Sequence, residues 1–138
     1  MSAIETLDDA IRRRRRECSD AAAKRFHASV RPILAAEKGR PKAFIGTCML
    51  LKVGTGRFVV TAAHITDWLD EHELYVAGTE GTQPVQFVGR LDATAKPQGG
   101  RNADKIDVAF WKLTDAAVAE LGAVAFIDEG QLYLNRDE

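Results

Sequence analysis

Residues 44–65 read FIGTCMLLKVGTGRFVVTAAHI, with two apolar runs on either side of a glycine turn. The runs are residues 49–53 and 58–61, and Gly54-Thr55-Gly56 separates them. Glycine adopts positive φ angles without a steric clash, so this spacing predicts a β-hairpin. Two alanines and then His64 follow the second run. The pattern predicts that the hairpin delivers His64 to a fixed place at the end of a strand, at the rim of a barrel.

A histidine at a strand end suits general-base chemistry, because the imidazole of an ordinary histidine titrates near neutral pH. The alternative interpretation of His64 is a structural histidine, buried or half-buried. We assign that structural role to the other two histidines, since His27 lies in a predicted helix and His72 in a polar turn.

Other short apolar segments flank the hairpin, and Gly- or Pro-containing turns separate most of them. Near-regular short strands of this kind are typical of antiparallel all-β barrels. The sequence therefore predicts a mostly β protein. The predicted strands outside the hairpin are residues 30–34, 73–77, 85–91, 106–113, 125–127 and 132–134.

The N-terminal residues predict a helix over positions 5–29. Thr6 and Asp9 have the spacing of a helix cap, and Pro32 cannot continue the helix. The run of five arginines at residues 12–16 spreads around the whole circumference of such a helix. Acidic residues stand four positions from Arg12 and Arg13, which favours a solvated helix over a nucleic-acid interface. We therefore predict a helical segment, residues 1–29, and a β-barrel domain, residues 30–138.

Composition places the chain among ordinary globular proteins, with 46% hydrophobic and 28% charged residues in 138 positions. The net charge of −1 gives no electrostatic reason to expect binding to nucleic acid or to an anionic membrane. We see no membrane-spanning stretch and no secretory signal. Cys18 and Cys48 do not form a disulfide framework, so we expect reduced thiols and a cytoplasmic location. The sequence predicts no metal site and no cofactor.

The segment IDVAFWKL at residues 106–113 carries one acidic residue, Asp107, inside an apolar run. A carboxylate that enters a barrel strand needs a partner, because burying an unpaired charge is costly. The alternative is a solvated carboxylate at the start of the strand, as for the nearby Asp104.

Residues 60–64, Val-Thr-Ala-Ala-His, resemble the histidine motif of bacterial chymotrypsin-like (trypsin-like) serine peptidases. Asp107-Val108-Ala109 followed by Leu113 resembles the motif that carries the catalytic aspartate in the same family. His64 and Asp107 occur in the family's order, 43 residues apart. Gly46-Thr47 resembles the Gly-Ser/Thr-Gly opening of the same hairpin in bacterial members of the family. Cys48 departs from that pattern, because a second glycine is usual at that position. The resemblance covers about residues 29–134 and implies the first of the family's two six-stranded barrels, with the second barrel absent.

The resemblance implies that His64 takes a proton from a serine hydroxyl and that Asp107 orients the histidine ring. The family's nucleophile lies in the second barrel, whereas the serines here are Ser2, Ser19 and Ser29, all before His64. We expect a peptide or protein substrate for the complete enzyme and no peptide hydrolysis by this chain alone.

Three interpretations remain open at the level of sequence. The chain is the N-terminal half of a serine endopeptidase, or a naturally short, inactive relative that serves as a binding or regulatory module. In the third interpretation it is one half of a split enzyme, which a partner domain or chain completes with the second barrel. A nucleic-acid-binding helix ranks below all three.

Overall fold

The computed structural model describes residues 4–37, 40, 42–103 and 105–131. Three α-helices and eight strands lie in this part of the chain. The helices are α1 (Leu7–Phe26), α2 (Ala63–Thr66) and α3 (Asp115–Leu121). The strands are β1 (Val30–Ala36), β2 (Ala43–Val53), β3 (Gly56–Thr61), β4 (Glu73–Val76), β5 (Val85–Gln86), β6 (Leu91–Ala93), β7 (Ala109–Lys112) and β8 (Ile127–Asp128).

Helix α1 begins where the sequence predicts a cap. Thr6 Oγ1 accepts a hydrogen bond from the Asp9 backbone N–H at 3.1 Å and donates one to the Asp9 carboxylate at 2.7 Å. The helix is shorter than predicted, because His27–Ser29 continue it as a 3-10 turn. No residue of α1 is buried, so the helix adds nothing to the core of the sheet. Within the described ranges, no helix is long and apolar enough to cross a membrane.

The eight strands form one sheet in which seven follow the order β5-β4-β1-β2-β3-β7-β6. Every neighbouring pair on this path is antiparallel, and β8 adds a short parallel pairing to β2. The predicted hairpin is present, because Leu50 pairs with Val59 across β2 and β3. The prediction of a mostly β, antiparallel fold preceded by an N-terminal helix is confirmed.

The sheet curls into a half-barrel, because the connection between its two end strands, β5 and β6, is too short to span a flat sheet. In a flat sheet, β5 and β6 would lie about 29 Å apart, at about 4.8 Å for each of six strand spacings. They are consecutive in the chain, and the four residues between them reach only about 18 Å. The prediction of a single strand over residues 85–91 is therefore wrong: the chain leaves β5, turns at Gly89 with φ 89°, and enters β6 at the other end.

A row of large apolar side chains fills the inside of the curl. Leu50, Val59 and Trp111 are paired across β2, β3 and β7, and each is at most 2% exposed. The Phe87 ring stacks on the Trp111 ring with centroids 4.7 Å apart. The indole N–H of Trp111 donates to the Val88 carbonyl at 2.6 Å. These contacts tie the β5–β6 connection to the core.

The last described elements differ slightly from prediction. The strand predicted over residues 125–127 is β8, which begins two residues later. Residues 114–122, expected as a short connector, contain α3, which Thr114 caps by accepting from the Ala117 backbone N–H at 3.1 Å. The strand predicted over residues 132–134 and the carboxylate of Asp104 lie outside the described residues.

Candidate active site

His64 lies just beyond the end of β3, where the chain turns into the short helix α2. Thr61, the last residue of β3, donates its hydroxyl to the Thr47 carbonyl at 2.8 Å and so fixes the strand end against β2. Ala63 is fully buried, which leaves no room for a larger side chain at the turn. Thr66 Oγ1 donates to the Ala63 carbonyl at 2.8 Å and closes the turn. The adjacent His64 side chain is 54% exposed, so its ring stands at the protein surface.

Asp107 lies two residues before β7, so the prediction that placed it inside a strand is wrong. Its φ angle is 43°, and among the described residues other than glycine it alone has a positive φ. Aspartate tolerates this left-handed conformation better than most residues do. The conformation turns the main chain, so that the Asp107 carbonyl accepts a hydrogen bond from the Ala63 N–H at 3.2 Å.

The structure brings His64 and Asp107 into direct contact. Asp107 Oδ2 lies 2.6 Å from His64 Nδ1, and Asp107 Oδ1 accepts a hydrogen bond from the His64 backbone N–H at 2.9 Å. An ionised carboxylate can only accept hydrogen bonds, so Nδ1 carries the proton and Nε2 of the neutral ring keeps its lone pair. Nε2 lies on the edge of the ring away from Asp107. This is the arrangement that lets a histidine act as a general base.

Thr94 supports the backbone beside Asp107. Its N–H donates to the Val108 carbonyl at 2.9 Å, and its Oγ1 accepts from the Val108 N–H at 3.3 Å. These bonds place Val108 beside the end of β6. Thr94 carries no signal in the sequence, because a threonine outside any periodic segment has no pattern that separates it from other polar residues.

Arg101 joins the loop before Asp107 to the 3-10 turn that follows α2. Its Nε and Nη2 donate to the two carboxylate oxygens of Asp67, at 2.7 and 2.9 Å. Its Nη1 donates to the Thr94 carbonyl at 2.9 Å. The hydrogen bond from Arg101 holds the pKa of the Asp67 carboxyl below its usual value. The sequence carries no signal for this pairing, because 34 residues separate Asp67 from Arg101.

A cavity of about 370 Å³ opens beside the His64 ring. Its walls are mostly charged or aromatic, and they come largely from the turn after α2. His72 packs here against the Trp68 ring, with centroids 5.0 Å apart. The lining residues are His64, Asp67, Trp68, Asp70, Glu71, His72 and Lys96.

The serines and the buried cysteine do not complete a catalytic group with His64 in the described part of the chain. Ser19 lies on α1, Ser29 is buried in the 3-10 turn that follows α1, and Ser2 lies outside the described residues. No described serine is hydrogen-bonded to the His64 ring. Cys48 is 3% exposed, and burial raises the pKa of its thiol to about 12, so it is a poor nucleophile.

In the residues that the structure describes, no group of three or more histidine, cysteine or acidic side chains is arranged to hold a metal ion.

Comparisons with protein-family models, with curated proteins and with solved structures find no match to this chain.

Proposed function

We propose that this chain is the N-terminal half of a trypsin-like serine endopeptidase and supplies the histidine and aspartate of a Ser-His-Asp triad. The observation that carries the proposal is the pairing of Asp107 with both the ring and the backbone of His64, at 2.6 and 2.9 Å. The pairing joins two segments that resemble the two triad motifs of that family. The proposal also includes a closed, six-stranded first barrel. It further includes a cytoplasmic location, which the two free thiols support.

In the proposed reaction, a serine hydroxyl attacks the carbonyl carbon of a peptide bond while Nε2 of His64 takes the hydroxyl proton. The C–N bond then breaks, and the same proton passes from Nε2 to the leaving amine. Asp107 stays ionised throughout, holds the proton on Nδ1 and stabilises the ring while it is positively charged. Water repeats the sequence on the acyl-enzyme and releases the acid product.

The nucleophile and the groups that bind the oxyanion belong, in this proposal, to a second barrel in a further domain or a partner chain. The apolar outward face of β2, β3 and β7 supports the existence of such a partner, because an exposed apolar surface of this kind usually marks an interaction site. A cavity of about 330 Å³ on this face is lined by Leu51, Val53, Phe58, Val60 and Phe110.

The test is labelling of the native polypeptide that carries residues 1–138, in its natural complex, with a serine-directed fluorophosphonate probe. We expect labelling of one serine, and we expect His64→Ala or Asp107→Asn to slow it by about 10⁴-fold or more, the effect of removing a member of a triad. His27→Ala is the matched control, because His27 is exposed and lies outside the dyad. Labelling at an unchanged rate in His64→Ala would refute the proposal.

The alternative function is a catalytically inactive, protease-like module that binds a partner through the apolar face of β2, β3 and β7. Complete absence of labelling in the folded native protein supports this alternative. Loss of labelling on changing one serine of the native protein, together with His64 dependence, excludes it.

A further inference from the structure

Two carboxylates, those of Asp107 and Asp67, lie close to the His64 ring, and each is hydrogen-bonded to a different side chain. Asp107 contacts the ring directly, at 2.6 Å from Nδ1. Asp67 stands three residues after His64 and lines the same cavity. The Arg101 guanidinium occupies both oxygens of Asp67, at 2.7 and 2.9 Å. Asp67 is thereby engaged elsewhere, while Asp107 is the carboxylate that meets the imidazole.

Arg101 also joins the two chain segments that carry the dyad. Its third nitrogen, Nη1, donates to the Thr94 carbonyl at 2.9 Å. Thr94 is in turn paired with Val108, the residue after Asp107, through its N–H and its hydroxyl. One guanidinium therefore connects the turn that follows His64 to the backbone that presents Asp107.

The environment of the Arg101–Asp67 pair favours a strong and directional contact. The Arg101 side chain is 14% exposed and the Asp67 side chain is 30% exposed, so water and salt screen the pair less than they screen a surface ion pair. The planar guanidinium fork fixes the relative orientation of two groups, which a lysine ammonium does not.

We propose that Arg101 is a positioning residue that selects Asp107, and not Asp67, as the partner of His64. It does so by pairing with the Asp67 carboxylate and by holding the Thr94–Val108 connection in place. The catalytic importance of this role rests on the proposed function, but the role itself is a property of the ring and is measurable without any nucleophile.

The experiment records the ¹⁵N chemical shifts of the His64 ring in the full chain at about pH 9, where histidine rings are ordinarily neutral. In the wild-type protein we expect the proton on Nδ1. In Arg101→Met the orientation of the His64 ring is no longer fixed, so Nδ1 no longer always faces the Asp107 carboxylate. Because the hydrogen bonds of the ring nitrogens determine which of them carries the proton, we expect the population of the Nδ1–H tautomer to fall by about half or more. Arg101→Lys keeps the charge without the fork and gives an intermediate loss.

Two further variants separate the role from a general loss of structure. Arg90→Met removes the ion pair with Asp92, in which Arg90 is 86% exposed, and we expect no change in the His64 ring. Asp67→Asn removes the competing carboxylate, so we expect a smaller loss of the Nδ1–H tautomer than in Arg101→Met. In the Asp67→Asn background, Arg101→Met then has a smaller effect than it has in the wild-type protein.

The amide spectrum of each variant shows whether it is folded. If Arg101→Met does not fold, Arg101→Lys and Asp67→Asn carry the test by the same readout. A folded Arg101→Met protein with unchanged ring nitrogen shifts would overturn the proposal. Unchanged shifts together with His64-dependent probe labelling would overturn only the role of Arg101, whereas altered shifts without any labelling would overturn only the proposed function.

Discussion

The carboxylate of Asp107 holds His64 by two hydrogen bonds at once. Oδ2 meets the ring at Nδ1, 2.6 Å away, and Oδ1 accepts from the backbone N–H of the same histidine at 2.9 Å. The first contact fixes the tautomer of the ring, and the second fixes the main chain from which the ring projects. A pair held in this way has little freedom to reorient, which is what a general base needs before a nucleophile arrives.

Residues 1–138 by themselves are expected to hydrolyse no peptide bond through the dyad. Ser19 lies on α1 and Ser29 in the 3-10 turn that follows it, and neither is hydrogen-bonded to the His64 ring. Within the described residues, therefore, no serine is placed to give its hydroxyl proton to Nε2. The measurement is release of a fluorogenic amine from a mixed library of peptide amides by the purified chain. Amidase activity that survives purification and disappears in His64→Ala would contradict this expectation, and His27→Ala serves as the matched variant.

Replacing Asp107 is expected to change the stability of the fold in a way that depends on the new side chain. Asp107→Ala places at φ 43° a residue that has no polar side chain to favour this conformation. It also leaves the His64 backbone N–H without its acceptor. We expect a loss of about 1–3 kcal/mol in the free energy of unfolding. Asparagine tolerates the same φ and keeps an acceptor oxygen, so Asp107→Asn is expected to lose less than about 1 kcal/mol.

Urea denaturation of both Asp107 variants measures this difference. Asp92→Ala is the control for loss of an acidic group, because Asp92 forms an ion pair with an arginine that is 86% exposed. Equal losses in Asp107→Ala and Asp107→Asn would show that neither the φ angle nor the Oδ1 contact contributes.

The Arg101–Asp67 pair is expected to make stability depend on pH in acid. The hydrogen bond from Arg101 lowers the pKa of Asp67 in the folded protein. A carboxyl whose folded pKa is depressed contributes its stability above its unfolded pKa, about 3.9, and loses it as the pH falls through the folded value. The difference in unfolding free energy between wild type and Arg101→Met should therefore be constant above about pH 5 and shrink below about pH 4.

Urea titrations of the two proteins over this range provide the measurement, and Arg90→Met provides the control. Acid effects that come from other carboxyls are common to both proteins and cancel in the difference. A difference that stays the same down to about pH 3 would mean that Arg101 stabilises the fold without its charge pairing to Asp67.

The two cysteines are expected to react with iodoacetamide at very different rates. Cys18 is exposed on α1, whereas Cys48 is 3% exposed and burial raises the pKa of its thiol to about 12. Only the thiolate reacts, so at about pH 8 we expect Cys48 to be modified at least about 100-fold more slowly. Mass spectrometry should find a single adduct in the native protein and a second in urea, and equal rates in native buffer would count against the burial of β2.

The sequence predicted the class of fold because its signals are local. Gly54 and its neighbours define the turn between β2 and β3, and Thr6 defines the start of α1. Alternation of apolar residues then indicates which faces of the strands are buried. Each of these features depends on residues within a few positions of one another, which is the range over which sequence patterns are informative.

The parts that the sequence did not predict depend on the path of the main chain. Asp107 resembles a strand residue by its neighbours, yet its positive φ arises from contacts with Ala63 and His64, which are distant in sequence. The break at Gly89 arises because the sheet curls and its ends must be joined. Arg101 lies in a loop without periodicity, so nothing near it in the sequence identifies Asp67 as its partner.

The order of the strand pairings along the chain has a consequence for how His64 and Asp107 come together during folding. The β2–β3 hairpin that carries His64 pairs residues close in sequence, whereas β7 joins β3 only after a long excursion. Asp107 meets His64 by closing a segment of 43 residues, at an entropic cost of about 3 kcal/mol from its length alone. Closing a long segment costs more entropy than closing a hairpin, so we expect the β2–β3 hairpin to form before Asp107 reaches His64. In that order of folding, a chain in which β7 has not yet paired with β3 lacks the contact that orients the His64 ring.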